Sequence, residues 1–524
     1  MKKRAQFPDG HTYTILFRGC AEHKDTSHAL EKVISIYRTM LLDKSKIKPS
    51  TIHINAVLKM CARAGDMNSM VTIAAEMPDH GPGSPDTLTY TTLLNALRMD
   101  AVITLRNTLT PMQKRMNARE AILRGRYIWQ DLTKRWAKGY LWIDEELVCA
   151  MGRLLAVGET QDKDDVFHMI EQTMNVPRQI EPLGAKGTNL SLKEDVDLNQ
   201  YTPPPMDTMS ADLNEPQSET QLETFKHAPL QQSSAPRSGL YAKPGRNTLS
   251  LVLMALLNSR RGQTATVKGP AANYWNIITK DFRVIPDREN FLAYLRVLRA
   301  ARSSNETLEL LGSMPLKDMD HSTFRIAISC CQRDKRNHKA FANAGKILDY
   351  MQQTMSVPDI KVCEAYLDVA IISEAGGNWT DTRNATTAAT AKAAQGKQIL
   401  RALDRLHPHF TNLRSLLSYG DPAPIKERSR NYETQDPSIQ EVVIGLTRRM
   451  ISAVDILIQQ SLVPETLHSE LLSKKATLTQ LVTRYAPKST RSAPISNNDA
   501  PKLTAAISPP LPTPAPEVKT FTAM

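Results

Sequence analysis

The chain has 524 residues, with 66 Lys and Arg against 54 Asp and Glu, a formal charge of +12 and 41% hydrophobic residues. No apolar run approaches the roughly 20 residues of a membrane-crossing helix, and six cysteines without a CxxC pair exclude a disulfide scaffold and argue against a zinc ribbon. The balance is that of a core-forming chain with a basic excess, which suits a polyanionic partner without requiring one.

Taken in chain order, the elements read as helices, because apolar residues recur at spacings of three and four and β-alternation is scarce. Pro8-Asp9, Pro49-Ser50 and Pro85-Asp86 punctuate the first part. A helix opener follows each pair: His11-Thr12-Tyr13-Thr14, Ile52-His53-Ile54-Asn55 and Leu88-Thr89-Tyr90-Thr91. Pro286-Asp287 and Pro358-Asp359 recur in the second half. Ahead of the punctuation lie Val33/Tyr37/Met40, Met70/Ala74/Met77, Thr307/Leu311/Met314 and Ala344/Leu348/Met351, each set at i, i+4, i+7 on one helical face. These methionines are expected in the core. Gly65 suits the left-handed residue that ends a helix.

From Arg178 to Thr224 nine acids face three bases, so this stretch carries −6 and the remainder +18. With Pro203-Pro204-Pro205 and no apolar face, the segment 178–245 is expected to be disordered. The same holds for the Pro-rich tail 487–524. Thr380–Ala394 reads as loop or weak helix. Ser438 and Glu441 form a capping-box pattern ahead of Val443, Leu446, Met450, Val454 and Leu457. Pro464 then separates a second helix, so 411–486 is expected to be a helical hairpin.

Repeating hairpins that cannot bury both faces alone must stack on their neighbours. The predicted fold is all-α, an α-solenoid of helical hairpins in two blocks, 1–177 and 246–410. Units are placed at about 10–50, 51–86, 87–144, 145–177, 246–287, 288–320, 321–359 and 360–410, with an insertion in the third near Asp100–Met116.

The Thr-Tyr-Thr helix starts, the Gly in the inter-helix turn, the Ala/Leu/Met face and the closing Pro-Asp resemble the pentatricopeptide repeat (PPR) family, most closely in Thr51–Asp86. The resemblance covers about two-thirds of the chain. It implies a right-handed superhelix with a concave groove that binds single-stranded RNA, one base per repeat. The fifth residue of each first helix and the last residue of the repeat would read the base. Those pairs are Thr14 with Ser50, Asn55 with Asp86, Thr91 with Asp144, and Ser250 with Asp287. Family rules suggest uracil for Asn55/Asp86 and guanine for Thr91/Asp144 and Ser250/Asp287. Cys149, Leu292, Arg325 and Glu364 depart from the pattern. Leu292 cannot hydrogen-bond a base, whereas Arg325, with Asp359 closing its unit, suits phosphate or base stacking.

Each of these residues also has a plainer reading. The Asp residues after Pro are good N-caps for the next helix. Thr14, Asn55 and Thr91 are polar residues that an early helical turn tolerates. Trp129, Trp136, Trp142, Trp275 and Trp379 suit core packing as well as base stacking. Clusters around Arg299, Arg302, Arg333, Lys335, Arg336 and Lys339, with Lys134-Arg135 and Arg260-Arg261, suit phosphate or a solvated face.

No nucleotide-binding, metalloprotease or nucleophile-elbow motif is present, and His407-Pro408-His409 is too close-set for a metal site. No enzyme activity, cofactor or metal is expected. The resemblance implies a mitochondrial matrix protein that acts on an mRNA or rRNA, or sits on the small ribosomal subunit. The basic start Met1-Lys2-Lys3-Arg4 leaves little room for a transit peptide before the first repeat. The alternative is a helical-repeat scaffold for protein segments, which carboxylate clamps of Asn, Lys and Arg in the groove would favour.

Overall fold

The computed structural model describes residues 8–106, 110–183, 241–259, 264–373, 385–417 and 439–485. Among the described residues the regular elements are all helical. Helices pair as α1 (Gly10–Ala21) with α2 (Thr26–Leu41), α3 (Thr51–Ala64) with α4 (Met67–Ala75), and α5 (Thr87–Arg106) with α6 (Pro111–Ala137). Next come α7 (Glu145–Leu155) with α8 (Thr160–Met174), and α9 (Arg246–Ser259) with α10 (Lys268–Asn276), which a π-turn prolongs through Asp281. Then follow α11 (Arg288–Ala301) with α12 (Ser304–Ser313), α13 (His321–Arg333) with α14 (Ala340–Thr354), and α15 (Ile360–Ile372) with α16 (Ala385–Leu417). A last pair, α17 (Ile439–Gln459) and α18 (His468–Tyr485), closes the chain.

The first helix of each unit starts where its cap dictates. Asp9 accepts the Thr12 N–H at 2.7 Å, Asp86 that of Thr89 at 2.8 Å, Asp144 that of Leu147 at 2.9 Å, and Asp287 that of Asn290 at 2.9 Å. Asp359 accepts the Lys361 N–H at 2.9 Å. The Pro-Asp punctuation is therefore the start signal of the next unit. Gly65 ends α3 with φ 77°, in the left-handed region that glycine enters at no steric cost.

The methionine faces are core. Val33, Tyr37, Met40, Leu311, Met314, Leu348 and Met351 are all buried. In the second unit Met70 is buried, while Ala74 and Met77 are only half-covered. First helices pack in one continuous row, α1–α3–α5–α7–α9–α11–α13–α15–α17, and the second helices α2, α8 and α14 pack against the first helix of the following unit. Packing therefore runs from unit to unit, which is the definition of an α-solenoid. Two buried clusters, Phe17–Ala96 and Tyr90–Leu481, meet at α5, where Met67 and Ile128 pack against both.

The expected insert at 178–245 has packed shoulders. The Arg178 guanidinium pairs with the buried Asp164 at 2.8 Å and lies over Phe167, and the Gln179 N–H donates to Tyr274 Oη at 3.0 Å. On the other side the Ala242 N–H donates to the Thr173 carbonyl at 3.0 Å. Residues 178–183 and 241–245 thus belong to the fold. Their few apolar residues carry no periodicity, and a buried ion pair with backbone bonds holds them instead. The remainder of that segment, the tail from 486, Trp379, Arg260-Arg261 and Ser438 lie outside the described residues.

Residues 385–394 of the Thr/Ala patch lie in α16, which continues past Pro408 to 417 and so beyond the expected boundary at 410. Val443, Leu446, Met450, Val454 and Leu457 are buried along α17, which pairs with α18 as a hairpin. No described helix is long and apolar enough to cross a membrane.

Candidate nucleic-acid interface

Because the first helices begin at Gly10, Thr51, Thr87, Glu145, Arg246, Arg288, His321 and Ile360, their fifth residues are Thr14, Asn55, Thr91, Cys149, Ser250, Leu292, Arg325 and Glu364. These positions run along the row of first helices near their N-terminal ends. A polar ladder ties the same ends together. His53 Nε2 lies 2.7 Å from the Gly10 carbonyl, joining α3 to α1. Asn55 Nδ2 donates to Asp86 at 3.0 Å, joining α3 to α5. The Thr248 N–H and hydroxyl donate to Glu145 at 2.8 and 2.9 Å, joining α9 to α7. Asn290 Nδ2 donates to Ser250 Oγ and to the Arg246 carbonyl, both at 2.8 Å, joining α11 to α9. Arg288 pairs with Asp320, and His321 and Arg325 pair with Asp359. The ladder crosses from unit four to unit five without a break.

The hydrogen bonds already made define what each fifth residue can offer. Asn55 gives one Nδ2 hydrogen to Asp86, and its Oδ1 accepts from Thr89 at 2.7 Å. One N–H and one lone pair remain, a donor–acceptor pair that matches a uracil edge. The Thr91 hydroxyl donates to the Thr87 carbonyl at 2.8 Å, and Thr14 to that of Gly10 at 3.1 Å. Both therefore keep only an acceptor; Thr14 is half-buried, and Thr91 is buried.

The expected pairs differ in how they are joined. Asn55 meets Asp86 directly, and Arg325 Nε lies 2.7 Å from Asp359. Ser250 reaches Asp287 through Asn290, whose Oδ1 accepts the Asp287 N–H at 3.0 Å. Thr14 has no bond to Ser50, which is occupied by His53. Thr91 has none to Asp144, whose carboxylate caps α7. Asp359 is buried, so it acts through the cations around it.

Four residues further along, on the same face, stand Arg18, Lys59, Arg153 and Arg296. None of the four has an ion pair among the described residues. Arg296 continues to Arg299, and Arg333 follows on α13. Burial and the neighbouring Arg333 and Arg296 charges hold the Arg299 pKa below its usual value. Three guanidiniums thus share a neighbourhood whose repulsion an anion would relieve. Lys134-Arg135 differs, since Arg135 is paired with Asp131 at 2.9 Å and Asp79 at 2.5 Å. Trp129 and Trp136 are buried and Trp275 packs on Phe291 and Tyr294, while Trp142 is exposed.

No family model matches the chain. An Arabidopsis thaliana protein described as pentatricopeptide repeat-containing is 27% identical over 131 residues, which is 25% of this chain and 20% of that protein. The match joins the recurring capped hairpins and their single row of first helices. Over that stretch the chain is similar to a pentatricopeptide repeat protein. It spans only a fifth of its plant relative's length. Among solved structures, the maize pentatricopeptide repeat protein PPR10 is 10% identical, with a TM-score of 0.31, covering 93% of this chain and 55% of the maize chain. PPR10 bound to an 18-nt psaJ RNA element is 12% identical, with a TM-score of 0.22, covering 91% and 68%. These superpositions are too loose to transfer any residue.

Two features of the row of first helices escape the sequence reading. Ile52 and Leu88 are 62% and 57% exposed, one turn before Asn55 and Thr91. Their signal is an apolar residue in an otherwise polar first helical turn. The basic ninth positions are the other, detectable as a spacing of four from the fifth.

Proposed function

We propose that this chain is a pentatricopeptide repeat protein and binds single-stranded RNA along its row of first helices. Bases meet Asn55 and Thr91, with Thr14, Ser50, Asp86, Asp144, Ser250 and Asp287 beside them, while Arg18, Lys59, Arg153 and Arg296 hold phosphates. The observation that carries this reading is one helical face bearing residual base-bonding capacity at its fifth positions and unpaired cations at its ninth. The exposed Ile52 and Leu88 supply apolar surfaces against which a splayed base stacks. Cys149 and Leu292 leave gaps, so readout is short and interrupted.

The finer reading is an organellar, non-enzymatic role on a mitochondrial mRNA or rRNA, extending to the small ribosomal subunit, where shape and protein contacts substitute for base readout. The blocks 1–177 and 246–410 then act as one array.

Binding of a labelled RNA pool, single-stranded and duplex, across a salt series tests the reading. Four phosphate contacts predict a slope of log affinity against log salt of about −3, taking ~0.7 per contact on a single strand. Single strands are expected to bind at least tenfold more tightly than duplex. Equal binding of both forms, or none at low salt, contradicts it. Crosslinked RNA recovered from purified organelles tests the finer part.

A further inference from the structure

We propose that the outward face of α6 docks the chain's own acidic segment, residues 194–223. The proposal does not depend on the RNA-binding reading, because α6 is a second helix and lies outside the row of first helices.

α6 runs for 27 residues and carries apolar side chains on two opposite faces. Ala118, Ile122, Trp129, Leu132 and Trp136 are buried against the stack. The other face repeats at positions 112, 116, 119, 123, 127, 130 and 134, the spacing of a single helical stripe. On it Met112, Met116 and Tyr127 are 67%, 56% and 64% exposed, and Leu123 between them is half-buried. Exposed apolar residues are ordinary when scattered singly, whereas several in line on one helix mark a surface that meets a partner. Arg119 and Lys134 belong to the same stripe, and Arg115 borders it. All three are exposed, and none has an ion pair among the described residues. The complement of this face is a segment that is both apolar and anionic.

The chain itself supplies such a segment. From Glu194 to Glu223 there are eight carboxylates and no Lys or Arg, with Leu198, Tyr201, Met206, Met209 and Leu213 interspersed. Residues 184–240 lie outside the described residues, but the chain is fastened beside α6 where they begin and where they end. On the outgoing side the Leu183 N–H donates to Asp164 at 3.2 Å. The adjoining Asp165 and Asp162 hold Arg126 of α6 at 2.5 and 2.8 Å. On the returning side the Tyr241 ring meets Trp136 of α6 edge-on, with centroids 6.4 Å apart. From Trp136 back to Met116 is about 30 Å along the helix. The 18 residues from Glu223 to Tyr241 reach up to about 60 Å when extended, so length does not limit the contact. Attachment at both ends raises the effective concentration of this segment at α6 above that of any separate acidic chain.

The test is zero-length carboxyl–amine crosslinking of the full chain, read by mass spectrometry, with thermal melts showing that each variant is folded. Crosslinks from the carboxylates of 194–223 are expected to concentrate on Lys134 and the neighbouring Lys138. They should form within one copy when unlabelled and isotope-labelled chains are mixed. Two double variants alter the face at exposed positions. Arg115→Glu with Arg119→Glu reverses its charge, and Met116→Ser with Tyr127→Ser removes its apolar half. Each should lower the crosslink yield at Lys134 by roughly fivefold or more. Even labelling of lysines across the whole surface, or a yield unchanged by the charge reversal, overturns the proposal. A yield that falls with charge but not with Met116→Ser and Tyr127→Ser reduces the contact to nonspecific attraction and overturns it too. Crosslinks found only between labelled and unlabelled chains assign the face to a second copy instead. Absence of these crosslinks, with single-stranded RNA affinity lost on charge reversal, assigns it to RNA. A wild-type chain that shows the crosslinks but binds no RNA overturns the RNA-binding reading and leaves this one standing.

Discussion

A side chain that reads a base must keep hydrogen-bonding capacity after the fold has taken its share. Asn55 is nearly enclosed, at 7% exposure, and its amide is bound at both ends, so its remaining N–H and lone pair point in a fixed direction. Asn55→Ala leaves Asp86 and Thr89 without that partner. We expect a loss of about 1–2 kcal/mol in stability, read by chemical denaturation, together with weaker RNA binding. Thr91→Val separates the two effects. It keeps the shape and removes a hydroxyl that only back-bonds to its own helix, so stability should stay within about 0.5 kcal/mol while RNA affinity falls. Unchanged RNA affinity in both variants would remove these residues from the interface. The fifth positions were legible in the sequence because a cap sets the helix start, and counting from the cap then lands on the fifth residue of the helix. Their connections were not legible. Asn290 bridging Ser250 to Asp287, or His53 drawing Ser50 away from Thr14, depends on how neighbouring units stack, and no local pattern encodes it.

At the scale of the helix, caps and close approaches decide stability. Burial raises the Asp320 pKa, but the Thr323 N–H and hydroxyl and the Arg288 guanidinium outweigh it, and the pKa lies below its ordinary value. A carboxylate lowered in the fold contributes stability above its unfolded pKa and loses it as pH falls through the folded one. Asp320→Asn still caps but loses that charge. Its melting temperature should therefore lie below wild type at pH 6, with the gap narrowing towards pH 3. A constant gap would contradict the assignment. Where α16 meets the turn after α17, a Cβ on Gly396 would lie 2.0 Å from the Leu462 carbonyl oxygen, so Gly396→Ala must push backbone apart at a cost of about 1–3 kcal/mol. Gly269 in α10 has nothing within 4 Å, and Gly269→Ala should stabilise by about 0.5 kcal/mol. Urea denaturation checks both. The hairpins themselves were readable from the i, i+4, i+7 faces and the capping residues. The length of α16 was not, because a Thr/Ala-rich run has weak periodicity and Pro408 marks a stop that the helix passes through.

Across the whole molecule, continuity is the property that matters. Unit five docks on unit four through Glu145 and Thr248, and Cys149 faces Thr248 across that joint at 3.9 Å. Burial pushes the Cys61, Cys149 and Cys363 thiols up to about 12 and that of Cys330 to about 11, and raises Cys331 as well. Thiolate is the reactive form. At pH 8 the native chain should therefore show one rapidly alkylated thiol, the half-exposed Cys20, and six after denaturation. Rapid labelling of Cys149 would mean that the stack parts between units four and five.

The claim on which the functional account stands is that the row of first helices faces the RNA. Ultraviolet crosslinking of the full chain to uridine-rich single-stranded RNA, with peptides identified by mass spectrometry, tests it most directly. Crosslinks are expected within α1, α3, α5 and α13, at or beside Thr14, Asn55, Thr91 and Arg325. Crosslinks concentrated on the second helices α2, α4, α12 and α14 would contradict it.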